Sequence, residues 1–131
     1  MELLVVILII GILVTLALTQ YGPYKERTLD KEAQANLKLL LAAQKVYRLE
    51  VGFYYPYNAT GTGSESNIDK INTDLRLLLS NADNTSWNYR TTADYGAATT
   101  CVEATRIGAG SRTFSLPNDQ DESIPGGTCG P

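Results

Sequence analysis

The sequence predicts an α+β fold in which a long N-terminal helix packs on a small antiparallel β-sheet. Apolar residues recur at helical spacing between Tyr24 and Val51, where neither glycine nor proline interrupts them. Three later segments are candidate strands, and two cysteines near the C-terminus predict a disulfide-bonded loop. Four segments follow: an apolar helix at 1–23, an amphipathic helix at 24–52, a connecting loop with a short helix at 53–85, and a sheet with the disulfide-bonded terminus at 86–131.

The first element is an almost wholly aliphatic run, Leu3–Leu18. No charged residue occurs between Glu2 and Lys25, and a helix of that length is about 30 Å long, enough to cross a hydrocarbon core. A cleaved signal peptide is the alternative, and it requires a basic flank ahead of the run and a small-x-small site behind it. The acidic flank and the triplet 17–19 (Ala-Leu-Thr) fit that pattern poorly, which favours a retained segment.

Glu2 is the charge that precedes this run, and it has two interpretations. As an acid at a helix N-terminus it is stabilised by the helix dipole, by about 0.3–1 kcal/mol. As the partner of a cation from another chain, with an α-amino group as the candidate, it gains about 4 kcal/mol before desolvation at a dielectric near 20. The second interpretation predicts that the ion pair of Glu2 with this amine is lost if the two chains slip in register.

The run from Met1 to Leu13, followed by Gln20 and Tyr21, resembles the N-terminal signature of type IV pilins and type II secretion pseudopilins. Glu2, Gly11 and Tyr21 fall on the glutamate, the mid-helix glycine and the tyrosine of that signature. The resemblance implies a pilin-like fold and a homo-oligomeric helical filament outside the cell, with the subunit in the inner membrane before assembly. It also implies two partners, an inner-membrane assembly machinery and a prepilin peptidase.

Two features depart from the family pattern. The family places a few residues, beginning with a methylated Phe or Met, ahead of this start, so we expect the leader and the true mature first residues to precede Met1. Thr19 stands where many pilins have proline, and the pair Gly22-Pro23 that follows is expected to take over that role, because proline removes a helical hydrogen bond. We predict that helix lost in an assembled fibre lies between Gly11 and Pro23, and a continuous helix kinked at Pro23 is the alternative.

The second element is the amphipathic half of the helix. Its apolar face consists of residues spaced three or four apart: Leu29, Ala33, Leu37, Leu40, Gln44, Tyr47 and Val51. Gly52 then supplies a helix stop. The mixed charges at 25–32 are predicted to form a solvated face, with salt bridges between subunits as the functional alternative.

The remaining elements are shorter. We expect an aromatic turn at Phe53–Tyr57 that covers the helix, then a loop at Asn58–Asn67. The short helix is predicted within Asn67–Leu79, capped by Asn67 or Asp69 and packed through Ile68, Ile71, Leu75 and Leu78. The strands are predicted at Ser86–Thr91, Ala98–Ile107 and Ser111–Leu116, with residues 108–110 (Gly-Ala-Gly) as a hairpin turn.

Cys101 and Cys129 predict a disulfide formed in an oxidising compartment. In the chain-entropy model the bond stabilises the fold by roughly 3–4 kcal/mol. A reactive redox pair is the alternative, but the CxxC spacing of such pairs is absent. A C-terminal disulfide loop is also common among pilins, so the resemblance extends to this region in layout.

Three weaker patterns occur in polar segments. Asp119, Asp121 and Glu122 lie in an acidic run that is predicted to be a solvated loop, with a Ca²⁺ site as the alternative, although the EF-hand pattern is not met. Asn58 and Asn84 begin Asn-x-Ser/Thr triplets, which makes them candidate N-glycosylation sites.

Composition argues against most enzyme classes. The 131 residues include no histidine, which excludes HExxH metalloprotease sites, Ser-His-Asp triads and Cys-His dyads. Two cysteines without histidine cannot build a four-ligand structural zinc site. A net charge of -3 argues against electrostatic binding of nucleic acid. We therefore expect no catalytic residue, no cofactor and no specific nucleic-acid partner.

Three functions fit these features. The first is a major pilin, the structural subunit of an extracellular type IV pilus-like filament used in adhesion, twitching motility or DNA uptake. The second is the major pseudopilin of a type II secretion system, which a calcium-dependent loop would favour and a disulfide disfavours. The third is a single-pass membrane-anchored binding domain, which would leave Glu2 without a partner.

Overall fold

The computed structural model describes residues 2–81, 85–108 and 110–130. Its elements are, in chain order, α1 (Glu2–Val51), β1 (Thr62–Glu65), α2 (Ile68–Asp74), β2 (Trp87–Asp94), β3 (Thr99–Arg106), β4 (Thr113–Pro117) and β5 (Ile124–Pro125). The strands form one antiparallel sheet in the order β1-β2-β3-β4-β5. The second half of α1 packs on this sheet, so the predicted α+β class is confirmed.

The chain forms two compact units that divide between Glu32 and Ala33. We call residues 2–32 the N-terminal unit and residues 33–130 the C-terminal unit. The N-terminal unit is entirely helical, and α1 continues through Gly11, Thr19 and Pro23 without interruption. The predicted loss of helix concerns an assembled fibre, and it stays a prediction for that state.

The C-terminal unit has its core between α1 and one face of the sheet. The buried helix residues are Ala33, Leu37, Leu40, Leu41 and Gln44. Four of them belong to the predicted apolar face, whereas Leu41 was not predicted. Val51, which was predicted to pack, is 45% exposed. No residue of α1 after Gln44 is buried, although Tyr47 is half-buried and its ring contacts those of Phe53 and Tyr55.

The segment Asn58–Asn67, predicted to be a loop, contains β1. This strand pairs with β2 from Thr62 opposite Asp94 to Glu65 opposite Thr91. Its sequence, Thr-Gly-Ser-Glu, has little β propensity, so the pairing with β2 rather than local preference makes it a strand. Gly63 is required there, because a Cβ atom would lie 2.5 Å from the carbonyl oxygen of Pro56.

The short helix α2 is confirmed but ends earlier than predicted. Asn67 is its N-cap, since its side chain accepts hydrogen bonds from the backbone N–H groups of Asp69 and Lys70. Asp69 is therefore not the cap. The predicted contact residue Leu78 is 98% exposed, because Arg76 adopts a left-handed conformation (φ 54°) and turns the chain out of the helix.

The three predicted strands correspond to β2, β3 and β4. Strand β2 extends three residues further than predicted, and β5 was not predicted, since it consists of two residues paired with β4. Between β3 and β4, the backbone N–H of Arg106 donates to the carbonyl of Arg112 at 2.9 Å, which closes the expected hairpin. Ala109, in the predicted turn, lies outside the described residues.

Candidate functional site

The first candidate site is the aliphatic surface of α1 from Leu3 to Leu18. Every large apolar side chain in this run is at least 50% exposed, and Leu3 is 78% exposed. Within the described residues, α1 is the helix that is long and apolar enough to cross a membrane, and none of its apolar window is buried by the protein. Such a helix is compatible with membrane anchoring.

Polar groups within and next to this run are satisfied by the helix itself. Thr15 Oγ1 donates a hydrogen bond to the carbonyl of Ile12 at 2.8 Å, and Thr19 Oγ1 donates to Leu16 at 2.9 Å. A hydroxyl that bonds to its own helix does not need water or a side-chain partner. The surface is therefore suited to an apolar environment along its whole length.

The four residues that the sequence singled out for assembly all lie on α1. Glu2 is an exposed acid in the first turn, Tyr21 is 70% exposed, and Pro23 lies inside the helix. A Cβ atom at Gly11 would meet nothing within 4 Å, so this chain alone does not require glycine there. Glycine at an exposed position of an apolar helix allows a second helix to approach closely.

The second candidate site is the C-terminal segment that the disulfide holds on the sheet. Cys101 and Cys129 are bonded, which confirms the predicted pairing, and their Cα atoms are 5.6 Å apart. Cys101 lies in β3, and Cys129 is almost fully buried. The bond therefore fixes the end of the chain to the middle of the sheet.

An ion pair that the sequence reasoning missed supports this attachment. Glu103 Oε2 accepts hydrogen bonds from the backbone N–H of Cys129 at 2.8 Å and from Arg90 Nη2 at 3.0 Å. Arg90 Nη2 also donates to the carbonyl of Cys129. Glu103 is 7% exposed, so its carboxylate is buried but paired. One indication of this ion pair was present in the sequence, since Arg90 and Glu103 fall within two neighbouring predicted strands.

A buried polar link joins α1, the aromatic turn and the sheet. Gln44 Nε2 donates to the carbonyl of Tyr55 and to Thr91 Oγ1, both at 2.6 Å, and Gln44 Oε1 accepts from the backbone N–H of Tyr55. Burial of the Tyr55 ring and the neighbouring Asp74 carboxylate raise the pKa of the Tyr55 hydroxyl well above its usual range. Tyr55 thus remains neutral, and the turn covers the helix as predicted.

The acidic residues proposed as weak calcium ligands lie in an exposed loop. Asp119, Asp121 and Glu122 are all exposed, and Glu122 lines a small cavity of about 160 Å³ together with Gln34 and Lys38. Among the described residues, no group of three or more His, Cys, Asp or Glu side chains is arranged to hold a metal ion. The geometry therefore adds no support to a calcium site.

Of the two candidate glycosylation sites, Asn58 belongs to the described residues. Asn58 is half-buried, and its side chain accepts hydrogen bonds from the backbone N–H and the hydroxyl of Thr60 and donates to the carbonyl of Thr62. The Asn58 amide is thus part of the turn that leads into β1. Asn84 lies outside the described residues.

Comparisons with known proteins found no relative of this chain. Protein-family models, curated proteins and solved structures each gave no match to the chain.

Proposed function

We propose that this chain is a structural subunit, of the major pilin kind, that polymerises through α1 into an extracellular filament. The single observation that carries the proposal is the aliphatic surface Leu3–Leu18, which is at least half exposed at every large side chain and begins next to an acid. A surface of this size is strongly unfavourable in water, since each Å² of exposed apolar area costs about 25 cal/mol. Something outside the chain must cover it.

Two environments are able to cover this surface in turn. Lipid covers it while the subunit waits in the membrane, and helices of identical subunits cover it in the filament. Moving an apolar helix from lipid to a helical bundle gains little hydrophobic energy, because lipid tails are already apolar. Packing and polar pairing must then supply the specificity, and an assembly machinery, which the family resemblance implies, supplies the work.

Glu2 and Gly11 are the residues that we assign to specificity. In the proposed filament the Glu2 carboxylate pairs with the α-amino group of a neighbouring subunit, and this pair fixes the register of one helix against the next. Gly11 leaves an open position on the helix surface, where a neighbouring backbone is able to approach closely. Tyr21 and Pro23 mark the end of the segment that we assign to the filament core.

The C-terminal unit supports an extracytoplasmic location for the head of the subunit. Its disulfide belongs to proteins that mature in an oxidising compartment, whereas thiols of cytosolic proteins are kept reduced. A bonded C-terminal segment also favours a pilin over a calcium-dependent pseudopilin. We therefore place the subunit in the inner membrane before assembly and in a filament at the cell surface afterwards.

The test is electron microscopy of the sheared surface fraction from cells that express the chain together with an assembly machinery. We expect filaments from the unaltered chain and none, or very few, from Glu2→Ala, because each added subunit would lack its ion pair. Glu32→Ala is the matched control, since it removes an exposed acid of the same helix beyond the apolar run. Normal filaments from Glu2→Ala would refute the pairing.

The same experiment separates the other functions. Short filaments confined to the periplasm, together with secretion that depends on the chain, would indicate a pseudopilin. Isolated copies in the membrane fraction, without filaments under conditions in which the machinery operates, would indicate a single-pass anchored domain and would end the proposal of assembly.

A further inference from the structure

The part of α1 in the C-terminal unit has a second apolar face, on the side away from the sheet. We call it the outer stripe, and it consists of Ala35, Leu39, Ala42, Val46 and Leu49. All five residues are exposed, and Leu49 is 87% exposed. An α-helix turns by about 100° per residue, so these positions point almost directly away from the buried set of Ala33, Leu37 and Gln44.

The spacing of the outer stripe is that of a coiled-coil seam. Its residues alternate between steps of four and three, which assigns Leu39 and Val46 to the a positions of a heptad and the other three to the d positions. An α-helix drifts from this repeat by only about 20° per heptad, so slight supercoiling keeps the stripe facing a partner. A β-branched residue at a with leucine at d is typical of parallel two-stranded coiled coils.

One side of the outer stripe is the floor of an apolar groove of about 340 Å³. Leu39, Ala42 and Val46 line the groove on the helix side, and Leu75 and Leu77 line it from the turn that follows α2. An amphipathic helix is a common occupant of such a groove, because its apolar side chains repeat at the same spacing. The outer stripe of a second copy provides a helix of this kind.

The charges beside the outer stripe favour a second copy and set its orientation. Lys38 and Lys45 occupy g positions, and Glu50 occupies an e position. In a parallel pair, g faces the e position of the next heptad in the other helix, so Lys45 faces Glu50 of the second copy. An antiparallel pair places g against g, which brings lysine against lysine. Glu50 lies 3.6 Å from Arg76, but its side chain is 51% exposed and accessible to a second cation.

We propose that the outer stripe binds the outer stripe of a second copy, in a parallel and in-register dimer. Two Lys45–Glu50 ion pairs flank the seam of this dimer, one on each side. A seam of two heptads is short, so the pairing is weak and reversible. The proposal goes beyond filament assembly, because it uses side chains of the C-terminal unit and does not require the Glu2 pair.

The first test is sedimentation equilibrium of the full chain in density-matched micelles of a neutral polyoxyethylene detergent. We expect a reversible dimer from the unaltered chain. Lys45→Glu and Glu50→Lys should each weaken it by about tenfold, because both ion pairs become repulsive. An equimolar mixture of the two variants should dimerise again, since each lysine then meets a glutamate.

Lys38→Glu is the matched control for these variants. Lys38 occupies a g position like Lys45, but it faces Ala43 of the second copy, so its reversal breaks no ion pair and should change the affinity little. Val46→Lys places a charge in the seam and should abolish the dimer. A monomeric unaltered chain would overturn the proposal, and so would a dimer that is insensitive to Lys45→Glu, Glu50→Lys and Val46→Lys.

The second test measures orientation by oxidative cross-linking of the full chain in membranes. Leu49→Cys should form a disulfide with itself, because equivalent d positions face each other in a parallel, in-register pair. An antiparallel pair places Leu49 opposite Ala35, so the two new cysteines would be about 20 Å apart, too far for a disulfide. Ala59→Cys, at an exposed position away from the helix, is the control for random collision.

Cross-linking of Leu49→Cys no faster than that of Ala59→Cys would overturn the parallel dimer. Adding Glu2→Ala to Leu49→Cys separates this proposal from filament assembly, because the cross-link should be unchanged when the filament is lost. Loss of the cross-link together with the filament would mean that the aliphatic surface, rather than the outer stripe, brings the copies together, and it would refute the proposal.

Discussion

Two leucines of the same helix show how differently the two units are stabilised. Leu37, in the C-terminal unit, is completely buried against the sheet, while Leu16, in the N-terminal unit, is 62% exposed. Their intrinsic helix propensity is identical, so the difference lies in what surrounds them. The C-terminal unit supplies its own core, whereas nothing within the described chain buries the apolar run of the N-terminal unit.

This difference predicts that the two units respond separately to substitution. A change in the core of the C-terminal unit should lower its free energy of unfolding, whatever covers the N-terminal unit. A change on the aliphatic surface should alter insertion or assembly and leave that free energy unchanged. Trp87 is the only tryptophan of the chain and is 2% exposed, so its fluorescence reports on unfolding of the C-terminal unit alone.

The largest expected effect is the contrast between the two leucines. Leu37→Ala should lower the free energy of unfolding by about 4 kcal/mol, because it leaves a cavity in a closed core. Leu16→Ala should leave it unchanged within error. Denaturant titration of the full chain in micelles, followed by Trp87 fluorescence, measures both. A comparable loss for Leu16→Ala would mean that the N-terminal unit contributes to the stability of the C-terminal unit.

The second prediction concerns the disulfide. Replacing Cys101 and Cys129 by serine opens a bond between residues 28 positions apart, and we expect a loss of roughly 3–4 kcal/mol in the free energy of unfolding. The ion pair of Glu103 with Arg90 should then hold the terminus weakly. The same fluorescence titration with and without a reductant gives an independent value for the unaltered chain, which should agree with that of the variant.

How much of the fold could be predicted from the sequence depends on how far apart in the chain the interacting residues lie. The apolar face of α1 and the three main strands follow from local periodicity, and the disulfide follows from having two cysteines. Strand β1 does not follow from local periodicity, because Thr62–Glu65 becomes a strand only by pairing with β2. Nor does the contact of Glu103 with Arg90, which needs the register that places these two residues opposite each other.

The candidate sites divide in the same way. Glu2, Gly11 and Tyr21 are singled out as candidates because the N-terminal run resembles the pilin signature, which is a pattern within one short segment of the chain. The attachment of the C-terminal segment combines Arg90 of β2, Glu103 of β3 and Cys129 near the C-terminus, which are far apart in the chain. The hydrogen bonds of the Cys129 backbone to these two side chains depend on tertiary packing, and no sequence pattern indicates them.

The third prediction tests the N-terminal unit by itself. Gly11→Ala should stabilise α1 in the single chain by about 1 kcal/mol, since alanine is the better helix former and its Cβ meets no neighbour. In the proposed filament the same change should reduce yield, because a neighbouring helix would lose its close approach. Helicity in micelles, from circular dichroism, and filament counts by microscopy measure the two effects. Ala17→Gly is the reverse control, with lower helicity expected.

The smallest expected effect comes from Glu65, at the end of β1. Hydrogen bonds from the backbone N–H groups of Asn67 and Ser66, and the nearby Lys70 ammonium, lower the pKa of the Glu65 carboxyl below its ordinary value of 4.5. Because the folded state holds the ionised form more favourably than the unfolded state does, this contribution is present above pH 4.5 and is lost as the pH falls through the lower, folded value.

Melting temperatures of the unaltered chain and of Glu65→Gln should therefore differ at neutral pH and converge in acid. Glu122→Gln, an exposed acid of the C-terminal loop, is the control. A difference for Glu65→Gln that persists at the lowest pH would show that shape, rather than charge, fixes the start of α2. That outcome would also weaken the contrast between the units, because the C-terminal unit would then depend on packing alone at this edge.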